Sequence, residues 1–131
     1  MHAVSKDYAT AIIPPDNRVK KAVNKLLCKE WNVNRIEFFA VESPDILFAH
    51  GINGPELTRL CVRLSNSLGW QTDKRLAIVS WQPKKNLTQG ERRGLLELSM
   101  NNLHEKLPGV SLLGVLLDTK AEHCTLVESK E

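Results

Sequence analysis

Residues Leu76–Trp81 have the sequence LAIVSW, which is apolar at nearly every position and follows the basic pair Lys74-Arg75. A strand with one face in water alternates apolar and polar side chains, whereas a strand that is covered on both faces is apolar throughout. Residues Val110–Leu117, VSLLGVLL, have the same character. Both segments therefore predict interior strands of a sheet that is covered on both sides, as in an α/β fold.

Three helices are predicted from their caps and from the spacing of their apolar residues. Asp16 is suited to cap a first helix, whose apolar side chains recur at helical spacing over Val19–Leu27. A second helix is predicted over Pro55–Leu68, because proline suits the first helical position and a glycine follows the last leucine. The sequence Thr88-Gln89-Gly90-Glu91 has the form of a capping box, which predicts a third helix over Gln89–Lys106.

The remaining strands are shorter or less regular. Tyr8–Ile13 and Arg35–Val41 are predicted strands, and Cys124–Val127 is predicted to be a short edge strand. Ser43-Pro44-Asp45 is typical of a turn, so the apolar run Ile46–Ala49 is predicted to return as a strand and close a hairpin. The expected order is β-α-β-β-α-β-α-β-β in a mixed sheet.

This order leaves two architectures open. The first six elements match a ferredoxin-like split βαβ unit, which would make the chain from Asn86 onward a C-terminal extension on the same sheet. The alternative is a three-layer α/β arrangement with a mixed sheet. In both cases residues 1–131 form a single domain, with a disordered tail from about residue 128.

Composition restricts the class of protein. The chain has 131 residues, 42% of them hydrophobic, and no apolar run of the roughly 20 residues that a membrane span requires. Its first residues lack the charged and then apolar layout of a signal peptide, and its three cysteines are far apart without a C-x-x-C pair. We therefore expect a cytoplasmic protein without membrane contact, whose cysteines are reduced core residues.

The leading functional hypothesis rests on the distribution of basic residues. Phosphate binding requires positive charge on one surface. The net charge is only +3, but basic residues are concentrated between Asn17 and Arg35 and between Lys74 and Arg93. Arg92 and Arg93 lie in the first turn of a predicted helix, where positive charge opposes the helix dipole, which indicates an anionic partner. The predicted contacts to DNA or RNA are made by Lys21, Lys25, Lys29, Lys84, Lys85, Arg92 and Arg93.

Aromatic residues offer a further means of holding single strands. Trp70 and Trp81 are candidates for stacking on bases. Only 5% of the residues are aromatic, however, and Trp81 closes an apolar strand, so burial is the favoured interpretation for that residue.

A second candidate site lies in the turn before the second helix. His50, Gly51 and Gly54 precede Pro55, and we expect the glycines to adopt conformations that other residues cannot and to expose backbone N–H groups at a helix N-terminus. With Arg59, these residues are predicted to bind an anion. His50 is also the strongest candidate for acid or base chemistry, because imidazole titrates near neutral pH.

The motifs that would identify a common enzyme class are absent. The sequence contains no phosphate-binding G-x-x-x-x-G-K-[ST] loop, no G-x-G-x-x-G fingerprint, no G-x-S-x-G elbow and no H-E-x-x-H helix. His104, His123 and Cys124 lack metal-ligand spacing, so no metal site is predicted. No catalytic residue and no cofactor are predicted either. The first hypothesis is thus a non-catalytic module for an anionic partner. The second is a protein–protein adaptor or assembly subunit that uses an open sheet edge, with a protein partner or as a homo-oligomer. The third is a small phosphate-handling enzyme at His50–Pro55.

Overall fold

A computed structural model of the protein describes residues 8–49, 54–71, 73–81, 87–118 and 120–128. The strands are β1 (Tyr8–Ile13), β2 (Arg35–Ala40), β3 (Arg75–Ser80), β4 (Ser111–Leu117) and β5 (Cys124–Glu128). The helices are α1 (Asn17–Trp31), α2 (Pro44–Ala49), α3 (Pro55–Gly69) and α4 (Gln89–Lys106). The predicted α/β class is confirmed, in one domain built on a single five-stranded sheet.

The sheet has the order β2-β1-β3-β4-β5. The first four of these strands are parallel, and β5 pairs with β4 in the antiparallel direction. The ferredoxin-like core is therefore wrong, because that unit requires an antiparallel hairpin where this chain has parallel strands joined by helices. The alternative, a three-layer α/β arrangement with a mixed sheet, is the one that the chain adopts.

Helices cover both faces of the sheet, and each face has its own core. On one face α1 packs through Val19, Val23 and Leu27 against side chains such as Ala77 and Val79. On the other face α2, α3 and α4 pack against a separate set that includes Ile12 and Ile78. The layers follow from right-handed crossovers: the chain moves from β1 to β2 in one direction and then returns past β1 to β3, so the connecting helices fall on opposite faces.

The predicted strand Ile46–Ala49 is the error in the element order, because these residues belong to the helix α2. Ser43, Pro44 and Asp45 are equally typical of a helix start, and the backbone carbonyl of Ser43 accepts from the amides of Ile46 and Leu47. The short helix is held by α4, since the Asn102 side chain donates to the carbonyls of Phe48 and Ala49 at 2.6 and 3.2 Å.

The other elements lie close to their predicted positions. The third predicted helix has the predicted bounds and the complete capping box between Thr88 and Glu91. Glu128, the approximate start of the predicted tail, is the last residue of β5, and residues 129–131 lie outside the described residues. Cys28, Cys61 and Cys124 are half-buried and free of disulfides. No helix in the described ranges is both long and apolar enough to cross a membrane.

Candidate ligand-binding site

The predicted basic residues are divided between the two faces of the sheet. Lys21, Lys25 and Lys29 are exposed on α1, which covers one face, whereas Arg92 and Arg93 lie near the N-terminus of α4, which covers the other. Lys84 and Lys85 lie outside the described residues. The α1 lysines and the α4 arginines therefore do not form one continuous surface.

Arg92 is engaged within the protein. Its Nη2 atom donates to the carbonyl of Ser80 at 3.0 Å and to the carbonyl of Leu117 at 2.6 Å, which ties the ends of β3 and β4 together. Its Nε atom is buried and has no hydrogen-bond partner among the described residues. Burial lowers the pKa of the guanidinium, and the charges of Asp45 and Asp118 oppose that shift. The unfavourable position of Arg92 near a helix N-terminus thus has a structural explanation.

The predicted anion site before α3 is only partly described. His50 and Gly51 lie outside the described residues. Gly54 is the N-cap of α3 and, as a glycine, makes no side-chain capping hydrogen bond. The expectation of a special backbone conformation is wrong at Gly54, because its φ of −141° and ψ of 169° are open to any residue and a Cβ there would meet nothing within 4 Å. Arg59 is exposed on α3.

The end of the sheet where the parallel strands terminate, which we call the carboxyl edge, is where ligands commonly bind in folds of this type. They bind where the connections that leave two neighbouring parallel strands run to opposite sides of the sheet. In this sheet that point lies between β1 and β3. Among the described residues, the charged groups that flank this position bond to one another. Asp16 accepts from the first amides of α1 and pairs with Arg18 at 3.1 Å, and Arg18 lies 5.3 Å from the Trp81 ring.

The neighbouring part of this edge is also internally bonded. Asp45 is fully buried, and its Oδ2 accepts from the Ser80 hydroxyl at 2.8 Å. Asp118 accepts from the backbone N–H groups of Glu122 and His123, which lower the pKa of its carboxyl group. Asp16, Asp45 and Asp118 thus have bonding partners inside the protein.

A different surface combines open space with charged and aromatic side chains. Beside the edge strand β2, on the face that α3 covers, lies a pocket of about 540 Å³. This volume is within the range of roughly 300–1,000 Å³ that is usual for ligand sites. We call it the β2-edge pocket. The lining residues from the sheet are Tyr8, Arg35, Glu37 and Phe39. Those from α3 and the position directly after it are Arg63, Asn66, Ser67 and Trp70.

Local structure places these side chains together. Alternate residues of a strand point to the same face, so Arg35, Glu37 and Phe39 all face the α3 layer. Arg63 and Trp70 occupy the facing side of α3 and its C-terminal end, and Trp70 is 74% exposed. An exposed tryptophan beside two arginines is the composition of a surface that binds planar, negatively charged ligands.

The two arginines of the pocket differ from most of the others in the chain. The Arg35 guanidinium lies 4.5 Å from the centre of the Tyr8 ring, and that of Arg63 lies 5.0 Å from the centre of the Phe39 ring. Neither forms an ion pair with a carboxylate in the described ranges, whereas the three arginines in ion pairs there are Arg18, Arg75 and Arg93. Stacking leaves the in-plane N–H groups of a guanidinium available to a ligand.

A chain of hydrogen bonds from the buried side chains of Gln71 and Thr10 reaches Ser67 and Glu37, which line the pocket. The backbone N–H of Arg75 donates to Gln71 Oε1, which fixes the amide orientation, and Gln71 Nε2 donates to Thr10 Oγ1 at 2.6 Å. The Ser67 hydroxyl donates to Glu37 Oε1. Since a serine has one hydroxyl hydrogen, the 2.8 Å contact between Thr10 and Ser67 is donated by Thr10. Every donor therefore points towards the Glu37 carboxylate.

Sequence reasoning missed this pocket because its residues come from three distant segments. The signal within the sequence was limited to the outward spacing of Arg59, Arg63 and Asn66 on the second predicted helix and to Trp70 just beyond it. The approach of Arg35 and Glu37 to that helix depends on the pairing of β2 with β1. Comparison with known proteins found no matching family model, no matching curated protein and no matching solved structure.

Proposed function

We propose that this protein is a non-catalytic module that binds single-stranded nucleic acid in the β2-edge pocket. The observation that carries the proposal is the pair Arg35 and Arg63, each stacked on an aromatic ring, beside the exposed Trp70. The partner class is the one that the basic residues of the sequence predict. The principal surface, however, is formed by β2 and α3, whereas the sequence predicts contacts from α1, from α4 and from the loop that follows β3.

Two of the three charged side chains that line the pocket, Arg35 and Arg63, favour phosphate. An arginine that is already paired with a carboxylate gives up that partner when it binds a phosphate, which reduces the net gain in free energy. Arg35 and Arg63 have no such partner among the described residues, and their stacked positions restrict the side chains before a ligand arrives. Both features favour charge-assisted hydrogen bonds to an anionic backbone.

The aromatic groups favour bases over an acidic peptide. Trp70 presents its ring to solvent, and each guanidinium that covers a ring offers its outer plane as a further stacking surface. Stacking on an aromatic side chain contributes roughly 1–3 kcal/mol per base and is tolerant of sequence. Duplexes hide the faces of their bases, so we expect single strands to bind more tightly than duplexes.

The first test compares two variants that each lose two positive charges. We expect Arg35→Ala with Arg63→Ala to weaken binding of a fluorescent mixed-sequence oligonucleotide at least tenfold. The slope of log affinity against log salt should fall by about 1.4, since each lost phosphate contact on a single strand removes roughly 0.7. Fluorescence anisotropy at several salt concentrations measures both quantities, with single-stranded RNA, single-stranded DNA and duplex DNA as ligands.

The matched control is Lys21→Ala with Lys25→Ala, on the opposite face of the sheet. If total charge instead of the pocket attracts the ligand, the two variants lose the same affinity and the proposed site is wrong. Absence of binding by the intact protein at low salt would overturn the proposed function. Stability is measured alongside, and the pocket variant should lose little of it, because exposed cation–π contacts contribute only about 0.5–1 kcal/mol each.

A further inference from the structure

The Glu37 carboxylate is prepared to accept hydrogen bonds in a pocket whose other charged groups are donors. Ser67 donates to its Oε1 atom and is itself held by Thr10, so the position of the carboxylate is fixed before a ligand binds. Its Oε2 atom has no hydrogen-bond donor among the described residues. An ionised carboxylate accepts only, with about four lone-pair sites on its two oxygens, so most of this capacity is unused.

The bases differ in what they offer to such a group. Guanine presents two adjacent donors on its Watson–Crick edge, the N1–H and the 2-amino group, and can bond both carboxylate oxygens at once. Adenine and cytosine each present one amino donor next to a ring-nitrogen acceptor, which a carboxylate repels. Uracil presents a single N–H between two carbonyl oxygens, with the same disadvantage. Reading of the Watson–Crick edge is available only in single strands, where this edge is unpaired.

We infer that the β2-edge pocket selects guanine, with Glu37 as the residue that determines this specificity. The inference rests on the proposed binding of single strands and adds the identity of the base. Arg35 and Arg63 hold the phosphates that flank the selected nucleotide, and Trp70 stacks on a base. The chain Gln71–Thr10–Ser67 holds the carboxylate in place and needs no contact with the ligand.

The experiment uses a set of short oligouridines that differ in one central nucleotide. We expect the oligomer with central guanine to bind roughly fivefold or more tightly than those with adenine, cytosine or uracil, which is the lower limit for a bidentate base contact. Inosine keeps the N1–H and lacks the 2-amino group, so the inosine oligomer should have intermediate affinity. This comparison needs no variant of the protein and therefore does not depend on the folding of one.

The variant Glu37→Gln then assigns the preference to one residue. The amide has a single acceptor atom and adds a donor group, so we expect the variant to lose the preference for guanine and to bind all the oligomers within about twofold of one another. A guanine preference that survives in this variant would show that another residue reads the base. Equal binding of all the oligomers by the intact protein would overturn the guanine inference and leave the proposed function standing. Binding of none would overturn both.

Discussion

The carboxyl edge and the β2-edge pocket of this sheet both concentrate charged side chains, but they use the charges in different ways. At the carboxyl edge Asp16 pairs with Arg18, Asp45 bonds to Ser80, and Arg92 bonds to two strand-end carbonyls. In the β2-edge pocket Arg35 and Arg63 lie over aromatic rings, and neither forms an ion pair with a carboxylate in the part of the chain that the structure describes.

The difference shows that the usual location of a site in an α/β fold does not by itself identify one. A charge that is bonded inside the protein contributes to stability, and a ligand must displace its partner to reach it. An arginine that lies over an aromatic ring in an open pocket keeps its N–H donors available to a ligand. We therefore expect substitutions at the carboxyl edge to change stability, and substitutions in the pocket to change binding.

The largest expected effect is that of Asp45→Ala. The change leaves the Ser80 hydroxyl without its buried acceptor and removes the carboxylate whose charge favours the partly buried Arg92 guanidinium. We expect the free energy of unfolding to fall by about 3 kcal/mol, measured by urea denaturation. Oligonucleotide affinity per folded molecule should not change.

Asp45→Asn is the control for this prediction, because its amide oxygen can still accept from the backbone N–H of Ile46, its amide nitrogen can donate to the Ser80 hydroxyl, and the side chain keeps its volume. It should destabilise the protein less than alanine does. A loss below about 1 kcal/mol for Asp45→Ala would show that the carboxyl edge does not depend on this buried group, and the contrast with the pocket would disappear.

A smaller effect is expected from Arg92→Met, which keeps an unbranched side chain and removes the donors to Ser80 and Leu117. Hydrogen bonds to charged groups contribute about 1.5–3 kcal/mol, and we expect a loss of about 2 kcal/mol in urea denaturation. The neighbouring change Arg93→Met is the matched control. Arg93 is exposed, and its ion pair with Glu97 spans 4.0 Å, so its loss should cost no more than about 0.5 kcal/mol. Equal losses would contradict a structural role for Arg92.

The smallest effect concerns acid stability. The backbone N–H groups of Glu122 and His123 hold the pKa of the Asp118 carboxyl below its usual value of 3.8. The ionised Asp118 carboxylate therefore stabilises the folded protein fully above the usual value, which applies to the unfolded chain. This stabilisation is lost as the pH falls through the lower pKa of the folded state. In Asp118→Asn this part of the pH dependence is removed, so urea midpoints measured between about pH 2 and pH 5 should fall less steeply towards acid than in the unsubstituted protein. Parallel profiles would show that this carboxylate does not contribute to the acid sensitivity of the edge.

Much of the fold was predictable because its signals are local. The continuous apolar runs Leu76–Trp81 and Val110–Leu117 are interior strands, and the capping box at Thr88 begins the helix that it predicts. The prediction of a turn and a strand over Ser43–Ala49 was wrong for a local reason as well, since a serine, a proline and an aspartate begin both turns and helices. Its helical state depends on bonds from Ser99 and Asn102, which lie far away in the chain.

The sequence alone determined the α/β class, the positions of most elements and the excess of basic residues, because periodicity, caps and charge are properties of neighbouring residues. Only the tertiary structure decided which of those charges are bonded internally. Arg92 and Arg63 are chemically alike in the sequence, yet one bonds to strand-end carbonyls and the other lies on Phe39 beside an open pocket. That difference arises from strand order and helix packing, which join residues distant in the chain, and no local pattern encodes it.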